Sequence, residues 1–221
     1  MNKLEDKLKE RRDSSKERVA PEILSKMLSA TEDLKESRIE EKAFGIGDKF
    51  EDSILLNSLG EEIHLLEFLN NKPTIISFYR GTWCPYCNLE LSNYNELLKD
   101  RKDINMIAIS PEKPDSSIDT KDLNFKVLSD INNNLAKKLN LSFDITGTIE
   151  SIYEGFGIDL EKSQGNRNRI LPIPATYILD SSRTIIYAYI NADYTKRAEP
   201  QEVIDKYLEL FNDKKGSNGS N

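Results

Sequence analysis

The chain has 221 residues and a formal net charge of −7, with 31% charged and 38% hydrophobic residues. Because it is acidic and has no large basic block, we exclude nucleic acid as a partner. No apolar run reaches the roughly 18 residues of a membrane-spanning helix, so we also expect no membrane partner. The start of the chain lacks the apolar core of a secretory signal. These features predict a cytoplasmic protein with one α/β domain and an appendage.

Residues 1–42 are about half charged, and the only regular structure that their sequence predicts is helical. Leu4 and Leu8 lie four residues apart in an otherwise polar segment, which indicates a frayed helix or disorder. After Pro21, five residues at helical spacing predict an amphipathic helix with a narrow apolar stripe: Leu24, Met27, Leu28, Thr31 and Leu34. We expect this stripe to dock on the main domain or on a second copy of the chain in a homodimer.

The middle of the chain predicts a hairpin and then a strand–helix–strand unit. Residues 53–56 and 62–66 form the hairpin, with a turn at 58–60. Residues 74–79 and 105–110 are continuous apolar runs, typical of buried strands. Between them, apolar residues at spacings of three and four predict a helix: Cys87, Leu91, Tyr94 and Leu98. Such a unit places its two strands parallel in one sheet.

The last part of the chain predicts the other strands of a mixed sheet. Residues 125–130 are typical of a short edge strand, and the polar stretch 155–170 is predicted as a long loop. Residues 175–179 and 184–190 predict an antiparallel pair. The final helix is predicted to begin near Pro200, a residue that suits the first turn.

Both cysteines of the chain, Cys84 and Cys87, lie in the segment FYRGTWCPYCNLEL. In a cytoplasmic protein such a pair is catalytic or metal-binding more often than a structural disulfide. Structural zinc needs four ligands, and the one histidine, His64, is predicted on the surface of the hairpin. We therefore expect no metal, which leaves a redox couple or buried structural thiols.

The position of Cys84 favours the redox interpretation. Pro85 suits the first residue of a helix, which makes Cys84 the helix cap. There, the positive end of the helix lowers a thiol pKa from about 8.5 toward about 3.5–7.5. Cys87 lies one turn further on the same side, although by itself it would pass as a small buried hydrophobe. The interpretation requires two sulfurs within bonding reach and outside purely hydrocarbon surroundings.

Three further segments, 46–79, 125–141 and 176–190, resemble the alkyl hydroperoxide reductase and thiol-specific antioxidant group, the peroxiredoxin branch of the thioredoxin-fold superfamily. In LPIPAT, Pro174 matches the cis-proline that the fold carries opposite its cysteines. The resemblance implies an α/β, thioredoxin-like (peroxiredoxin-type) mixed β-sheet flanked by helices, with an N-terminal helical extension, and it implies no cofactor. We divide the chain into the extension at 1–42, the domain at 43–212 and a disordered tail at 213–221.

The cysteine motif departs from that family, which carries P-x-x-x-T-x-x-C with a peroxide-attacking cysteine at its end. Aligned without gaps, Cys87 falls on the attacking position, Cys84 on the threonine and Arg80 on the proline. A thiol is a weaker hydrogen-bond donor than the missing hydroxyl. Thr82 is a candidate to replace that hydroxyl.

Other residues are candidates to support the thiols. Arg197, in DYTKRAEP, matches a second arginine motif of the family, and Arg167 or Arg169 is a candidate for the arginine missing near Pro174. Trp83 is a candidate to shield the pair from water. Tyr86, predicted at the exposed start of the helix, is a candidate substrate contact.

Two enzymatic mechanisms and one other role remain open from the sequence. In the first, Cys87 attacks a hydroperoxide, Cys84 condenses with the sulfenic acid, and a thioredoxin- or glutathione-type reductant opens the disulfide. In the second, Cys84 attacks a disulfide substrate whose backbone pairs beside Pro174, and Cys87 resolves the mixed disulfide. The third alternative is a redox-sensing adaptor that presents its N-terminal helix to a partner.

Overall fold

The computed structural model describes residues 3–114 and 123–216. Its helices are α1 (Leu4–Arg18), α2 (Pro21–Glu36), α3 (Ile39–Lys42), α4 (Leu65–Leu69), α5 (Pro85–Leu97), α6 (Asn134–Lys138), α7 (Gly147–Gly155), α8 (Leu160–Gln164) and α9 (Pro200–Gly216). Its strands are β1 (Ile54–Leu56), β2 (Glu62–His64), β3 (Thr74–Phe78), β4 (Met106–Ser110), β5 (Lys126–Ser129), β6 (Ser142–Asp144), β7 (Ile170–Pro172), β8 (Ala175–Leu179) and β9 (Ile185–Ile190). Helix α9 thus enters the predicted tail, and positions 217–221 lie outside the described residues.

The main sheet has seven strands in the order β2-β1-β5-β4-β3-β8-β9. Strands β3 and β4 are parallel and β8 and β9 antiparallel, as the sequence predicts. The edge position predicted for β5 is wrong, because β1 pairs with it through Leu56 and Ser129. The hairpin therefore extends the sheet beyond β5, a long-range pairing that a local pattern does not reveal.

Alternating side chains give the sheet two faces with different partners. Ile76 and Phe78 of β3 point toward α4 and α6, into an entirely hydrophobic cluster that we call the apolar face. Ile75 and Tyr79 point the other way, toward α1, α5 and α9. Both cysteines belong to this second cluster, which we call the thiol face. The predicted mixed sheet with helices on both sides is confirmed.

Helix α1 is docked on the thiol face rather than frayed or disordered. Leu4 and Leu8 are almost completely buried in its cluster, at 1% and 0% exposure. The backbone N–H of Leu4 donates to Glu199 Oε1 at 3.0 Å, and Arg12 Nη1 donates to the carbonyl of Thr195 at 3.1 Å. Two leucines one turn apart are enough to anchor a polar helix when a preformed apolar groove receives both.

Helix α2 docks on the chain's own domain. Met27 packs with Ile149 and Tyr153 of α7, whereas Leu28 of the predicted stripe is 65% exposed. Docking on a second copy, and the division of the chain at residue 43, stay predictions. Within residues 3–114 and 123–216, none of the helices has the length and apolar character needed to cross a bilayer.

The segment 155–170 is more ordered than the loop that we predict. It contains α8, which is capped by Asp159, whose Oδ1 accepts a hydrogen bond from the N–H of Lys162 at 2.8 Å. It then leads into β7, which pairs with β6 in a small second sheet. The high polar content reflects capping and turn residues of short elements, not an absence of structure.

Candidate active site

The cysteines lie at the junction between β3 and α5. Cys84 caps α5 in an extended conformation, with φ −87° and ψ 112°, and Pro85 occupies the first helical turn, as the sequence predicts. The N–H of Cys84 donates to the carbonyl of Gly81 at 3.1 Å. Gly81 has a φ of +150°, and a Cβ there would clash with the indole of Trp83. The tight loop therefore depends on glycine to bring Trp83 back over the strand end.

Both cysteines are free thiols, and both are buried, with Cys84 1% and Cys87 0% exposed. Each cysteine shifts the pKa of the other. Their surroundings are not purely hydrocarbon, because Arg197 Nη2 donates to Cys87 Sγ at 3.2 Å. The surroundings that the redox interpretation requires are therefore present, whereas a bond between the two sulfurs stays a prediction.

The pair divides its protons unequally. Burial would raise the pKa of the Cys84 thiol, but a hydrogen bond from the Cys87 thiol and two guanidinium charges oppose burial. These charges belong to Arg80 and Arg197, and the pKa of Cys84 falls to about 5. Burial, together with the shared proton and the neighbouring negative charge, raises the pKa of Cys87 well above its ordinary value. Near neutral pH, these opposite directions favour a Cys84 thiolate over a Cys87 thiolate.

The pKa of Cys84 is the lowered one even though Arg197 contacts Cys87. Cys84 is the cap residue of α5, at the N-terminus of the helix. A thiolate at such a position is stabilised by the helix dipole and by the unpaired N–H groups of the first turn. The cap position predicts this effect from the sequence.

A buried ion pair lies next to Cys87. Arg197 Nε donates to Glu90 Oε2 at 2.7 Å, and both side chains are 1% exposed. Arg197 Nη1 also donates to the carbonyl of Lys196 at 2.8 Å, which fixes the guanidinium against its own loop. Burial raises the pKa of Glu90 to about 7, although Arg197 opposes that effect. Glu90 can therefore change its protonation state in the neutral range.

A second guanidinium, that of Arg80, stands in an aromatic enclosure. Its central carbon lies 4.4 Å from the ring centre of Tyr194, 4.9 Å from Trp83 and 5.5 Å from Tyr153. Arg80 is only 3% exposed, and it donates to the hydroxyl of Tyr153. Aromatic faces and the neighbouring thiolate compensate this buried cation.

Thr82 does not contact the sulfurs. Its N–H and its hydroxyl donate to Glu112 Oε2 and Oε1, at 2.7 and 3.1 Å. Ser163 donates to the same carboxylate at 2.6 Å. The predicted replacement of the missing hydroxyl by Thr82 is therefore wrong in this geometry. Instead, Thr82 ties the loop before Cys84 to Glu112.

Two other sequence expectations are corrected at the rim of the site. Tyr86 is 6% exposed, not exposed, because it packs edge-on against Tyr194 at 5.7 Å. Pro174 is not cis, since the described residues contain no cis peptide bond. The chain runs extended from β7 into β8 and has no tight turn here that a cis bond would serve.

The arginines proposed from the loop before Pro174 point elsewhere. Arg167 pairs with Glu161 at 2.8 Å, and Arg169 pairs with Glu150, all at solvent-accessible positions. Arg80 supplies the second cation instead. His64 lies on β2, at the opposite end of the main sheet from β9 and four strands from β3, and bonds Asp52 at 2.8 Å.

Comparison with known proteins agrees with this geometry. The model of the AhpC/TSA family matches residues 46–188, well over half of the chain. The chain belongs to the AhpC/TSA family. Family membership and the paired thiols make it an oxidoreductase, whereas the roles of single residues are proposals.

Curated relatives of this family member carry two kinds of name. A putative peroxiredoxin bcp of Buchnera aphidicola is 33% identical over 121 residues, 51% of this chain and 72% of that protein. A thiol-disulfide oxidoreductase ResA of Geobacillus kaustophilus is 24% identical over 172 residues, 77% of this chain and 80% of that protein.

Solved structures of peroxiredoxins share the fold. A peroxiredoxin-like protein of Aquifex aeolicus superposes with a TM-score of 0.57 at 16% identity, covering 76% of this chain and 89% of its own. A cysteine-to-serine mutant of PrxQ from Xylella fastidiosa gives 0.57 at 17% identity, covering 76% and 97%.

Sequence reasoning missed Glu90 and the role of Arg80. Glu90 lies three residues after Cys87, so helical spacing alone places a carboxylate on the cysteine side of α5. That signal was available in the sequence. Arg80 follows β3 directly, but only the folded chain shows that Tyr153 and Tyr194 enclose it.

Proposed function

We propose that this AhpC/TSA family member is a thiol peroxidase that reduces hydroperoxides through a reversible Cys84–Cys87 disulfide. One observation carries the proposal: two buried free thiols lie at the start of α5, and the guanidinium of Arg197 donates to Cys87 Sγ at 3.2 Å. A thiolate that is stable at neutral pH is the nucleophile that peroxide reduction needs. Adjacent cations stabilise the negative charge that develops on the leaving oxygen.

The reaction balances with one proton from solvent. The thiolate attacks the outer oxygen of ROOH, the O–O bond breaks, and the alkoxide takes up that proton to leave as ROH. The other thiol then displaces the hydroxyl of the sulfenic acid, so a disulfide forms and water leaves with the remaining proton. Glu90, with a pKa of about 7 next to Cys87, is suited to hold a proton between these steps.

Cys84 is the attacking sulfur in this proposal. The first mechanism that we derive from the sequence gives that role to Cys87, by alignment with the family motif. The pKa values favour the reverse, because Cys84 carries the charge and Cys87 the proton. Cys87 then becomes the resolving thiol, and Arg197, at 3.2 Å, stabilises it as it loses its proton.

The catalytic cycle needs an external dithiol and no cofactor. A thioredoxin- or glutathione-type reductant would open the disulfide, in keeping with the cytoplasmic location that we propose. Because both sulfurs are at most 1% exposed, the oxidised pair must become accessible before a protein reductant can reach it. Local opening at the start of α5 is the smallest movement that would achieve this.

Rapid mixing of the reduced protein with hydrogen peroxide and, separately, with glutathione disulfide tests the proposal. We expect loss of both thiols and a mass decrease of two hydrogens with peroxide, much faster than with the disulfide. A double Cys84→Ser/Cys87→Ser variant is the control for non-specific oxidation. Faster reaction with the disulfide would overturn the peroxidase proposal.

The second candidate is a thiol-disulfide oxidoreductase. The low pKa of Cys84, the first cysteine of the pair, favours it, because the second mechanism uses that sulfur on a disulfide. The backbone next to Pro174 argues against it. The N–H of Ile173 donates to Leu141 at 2.8 Å, and the carbonyl of Pro174 accepts from Asn191 at 3.3 Å. These two groups are thus already engaged within the chain.

A further inference from the structure

A cavity of roughly 230 Å³ separates helix α2 from the domain beneath it. The α2 side contributes Met27, Ala30 and Leu34, and the domain side includes Phe143 and Ile149. An apolar cavity of about 150 Å³ in another protein holds a benzene-sized ligand. This cavity therefore has room for a small organic molecule somewhat larger than benzene.

Much of one wall of the cavity lies outside the family match. The AhpC/TSA model covers 46–188, whereas the six lining residues of the N-terminal segment lie at 27–37. The shape of the cavity is thus a property of this chain's own extension. A change in α2 would alter the cavity without altering the sheet or the thiols.

The inner end of the cavity offers a hydrogen-bond donor without a partner. Arg80 lines the cavity, and its Nε is buried and has no hydrogen-bond partner among the described residues. A buried N–H group without an acceptor costs free energy, and a ligand oxygen would remove that cost. The charge of the same side chain lowers the pKa of Cys84, so the cavity and the thiols share Arg80, although neither cysteine lines the cavity.

The charges around the cavity favour a neutral ligand. Asp33 and Asp144 line it at exposed positions, and their carboxylates would repel an anion. An apolar body suits the walls, and one acceptor oxygen suits Arg80. These requirements describe a small neutral alcohol, ether or organic hydroperoxide.

We propose that the cavity under α2 binds small neutral molecules with an apolar body and one acceptor oxygen, with that oxygen on Arg80. This proposal deepens the proposed function and partly rests on it, since the cavity then receives the organic group of a hydroperoxide. The N-terminal extension would thereby set the size limit for the substrate.

Binding of 2-phenyl-2-propanol, the alcohol formed from cumene hydroperoxide, tests the site without any turnover. Ligand-observed NMR on the full-length reduced protein should detect binding of this alcohol and at least about tenfold weaker binding of the anion benzoate. Ala30→Phe should weaken alcohol binding at least about tenfold, and Ala30→Leu by a smaller factor. Ser29→Phe, at an exposed position next to Ala30 and outside the cavity, is the matched control and should change binding less than about twofold.

The peroxide reaction provides a second readout. Ala30→Phe should lower the rate with cumene hydroperoxide at least about tenfold relative to hydrogen peroxide, which is too small to need the cavity. Equal losses with both peroxides, or equal effects of Ser29→Phe, would overturn the cavity proposal. A protein that binds the alcohol but consumes no peroxide would overturn only the proposed function. One that consumes peroxide without binding the alcohol would overturn only the cavity proposal.

Discussion

The two faces of the main sheet bury different kinds of side chains. The apolar face is a hydrophobic cluster that includes Ile76, Phe78 and Leu139, and beside it the buried carboxylate of Asp130 accepts hydrogen bonds from the start of α6. The thiol face buries two thiols together with Arg80, Glu90 and Arg197. Close packing of hydrocarbon stabilises the first face directly, whereas buried ions cost desolvation that their pairing only partly repays.

The difference indicates which face the chain uses for stability and which for chemistry. Replacing a buried ion pair by hydrophobic residues of similar volume is often neutral or stabilising. The pair Glu90–Arg197 is therefore not explained by stability. Because Arg197 contacts Cys87, we propose that the pair controls the charge of the thiols.

Substituting the two thiols should have the largest effect on the chemistry of the thiol face. We expect Cys84→Ser to lower thiolate reactivity at about pH 7 strongly, because burial still raises the pKa of the remaining Cys87. Cys87→Ser should still react once with a hydroperoxide and stop as a sulfenic acid, since its resolving thiol is gone. Mass spectrometry after trapping of the sulfenic acid measures both outcomes. The opposite result would restore Cys87 as the attacking sulfur.

Breaking the ion pair should affect both stability and chemistry. Arg197→Met leaves Glu90 buried without its cation, which costs about 3–5 kcal/mol. The cost should be larger at about pH 8 than at about pH 6, because Glu90 binds a proton at the lower pH and becomes neutral. Denaturant unfolding at both pH values measures it. The double variant Arg197→Met/Glu90→Gln should recover part of the loss, and no recovery would contradict this account.

Substituting a buried leucine on either face should lower the free energy of unfolding by a similar amount. Only the substitution on the thiol face should change the accessibility of the cysteines. Leu139→Ala and Leu8→Ala should each cost about 2–5 kcal/mol of the free energy of unfolding. Only Leu8→Ala, which loosens α1 over the thiol face, should speed modification of the cysteines by a thiol reagent. Leu28→Ala, at a 65% exposed position, is the control for both. Equal reagent rates in the two buried variants would show that α1 does not protect the thiols.

Removing the charge of Arg80 should have the smallest effect on the reactivity of the thiols. Arg80→Gln takes away a charge that lowers the pKa of Cys84, so that pKa should rise above about 5. The thiolate is lost as the pH falls through its pKa, so a rise of about one unit would leave about half as much thiolate at about pH 6. Thiolate ultraviolet absorbance against pH measures the change. Arg169→Gln, whose guanidinium pairs with Glu150 at the surface, should titrate like the wild type.

The parts of the structure that follow local patterns could be predicted. Apolar runs gave β3 and β4, and Pro85 gave the cap position of Cys84. Errors occurred where distant segments meet: Tyr86 is covered by Tyr194, and β5 is covered by the hairpin. Thr82 was assigned to the thiols because it is near in sequence, but Glu112, thirty positions away, binds it.

The sequence by itself determined the family, the type of fold and the cysteine pair at the start of a helix. Periodicity, proline placement and motif spacing are local properties, so they can be read without coordinates. The tertiary structure decided the surroundings of the two thiols. These surroundings depend on Arg197, 110 positions from Cys87, and on burial, which arises only when β3, α5 and α1 pack together. Electrostatic interactions act through space, and the distances along the chain do not encode them.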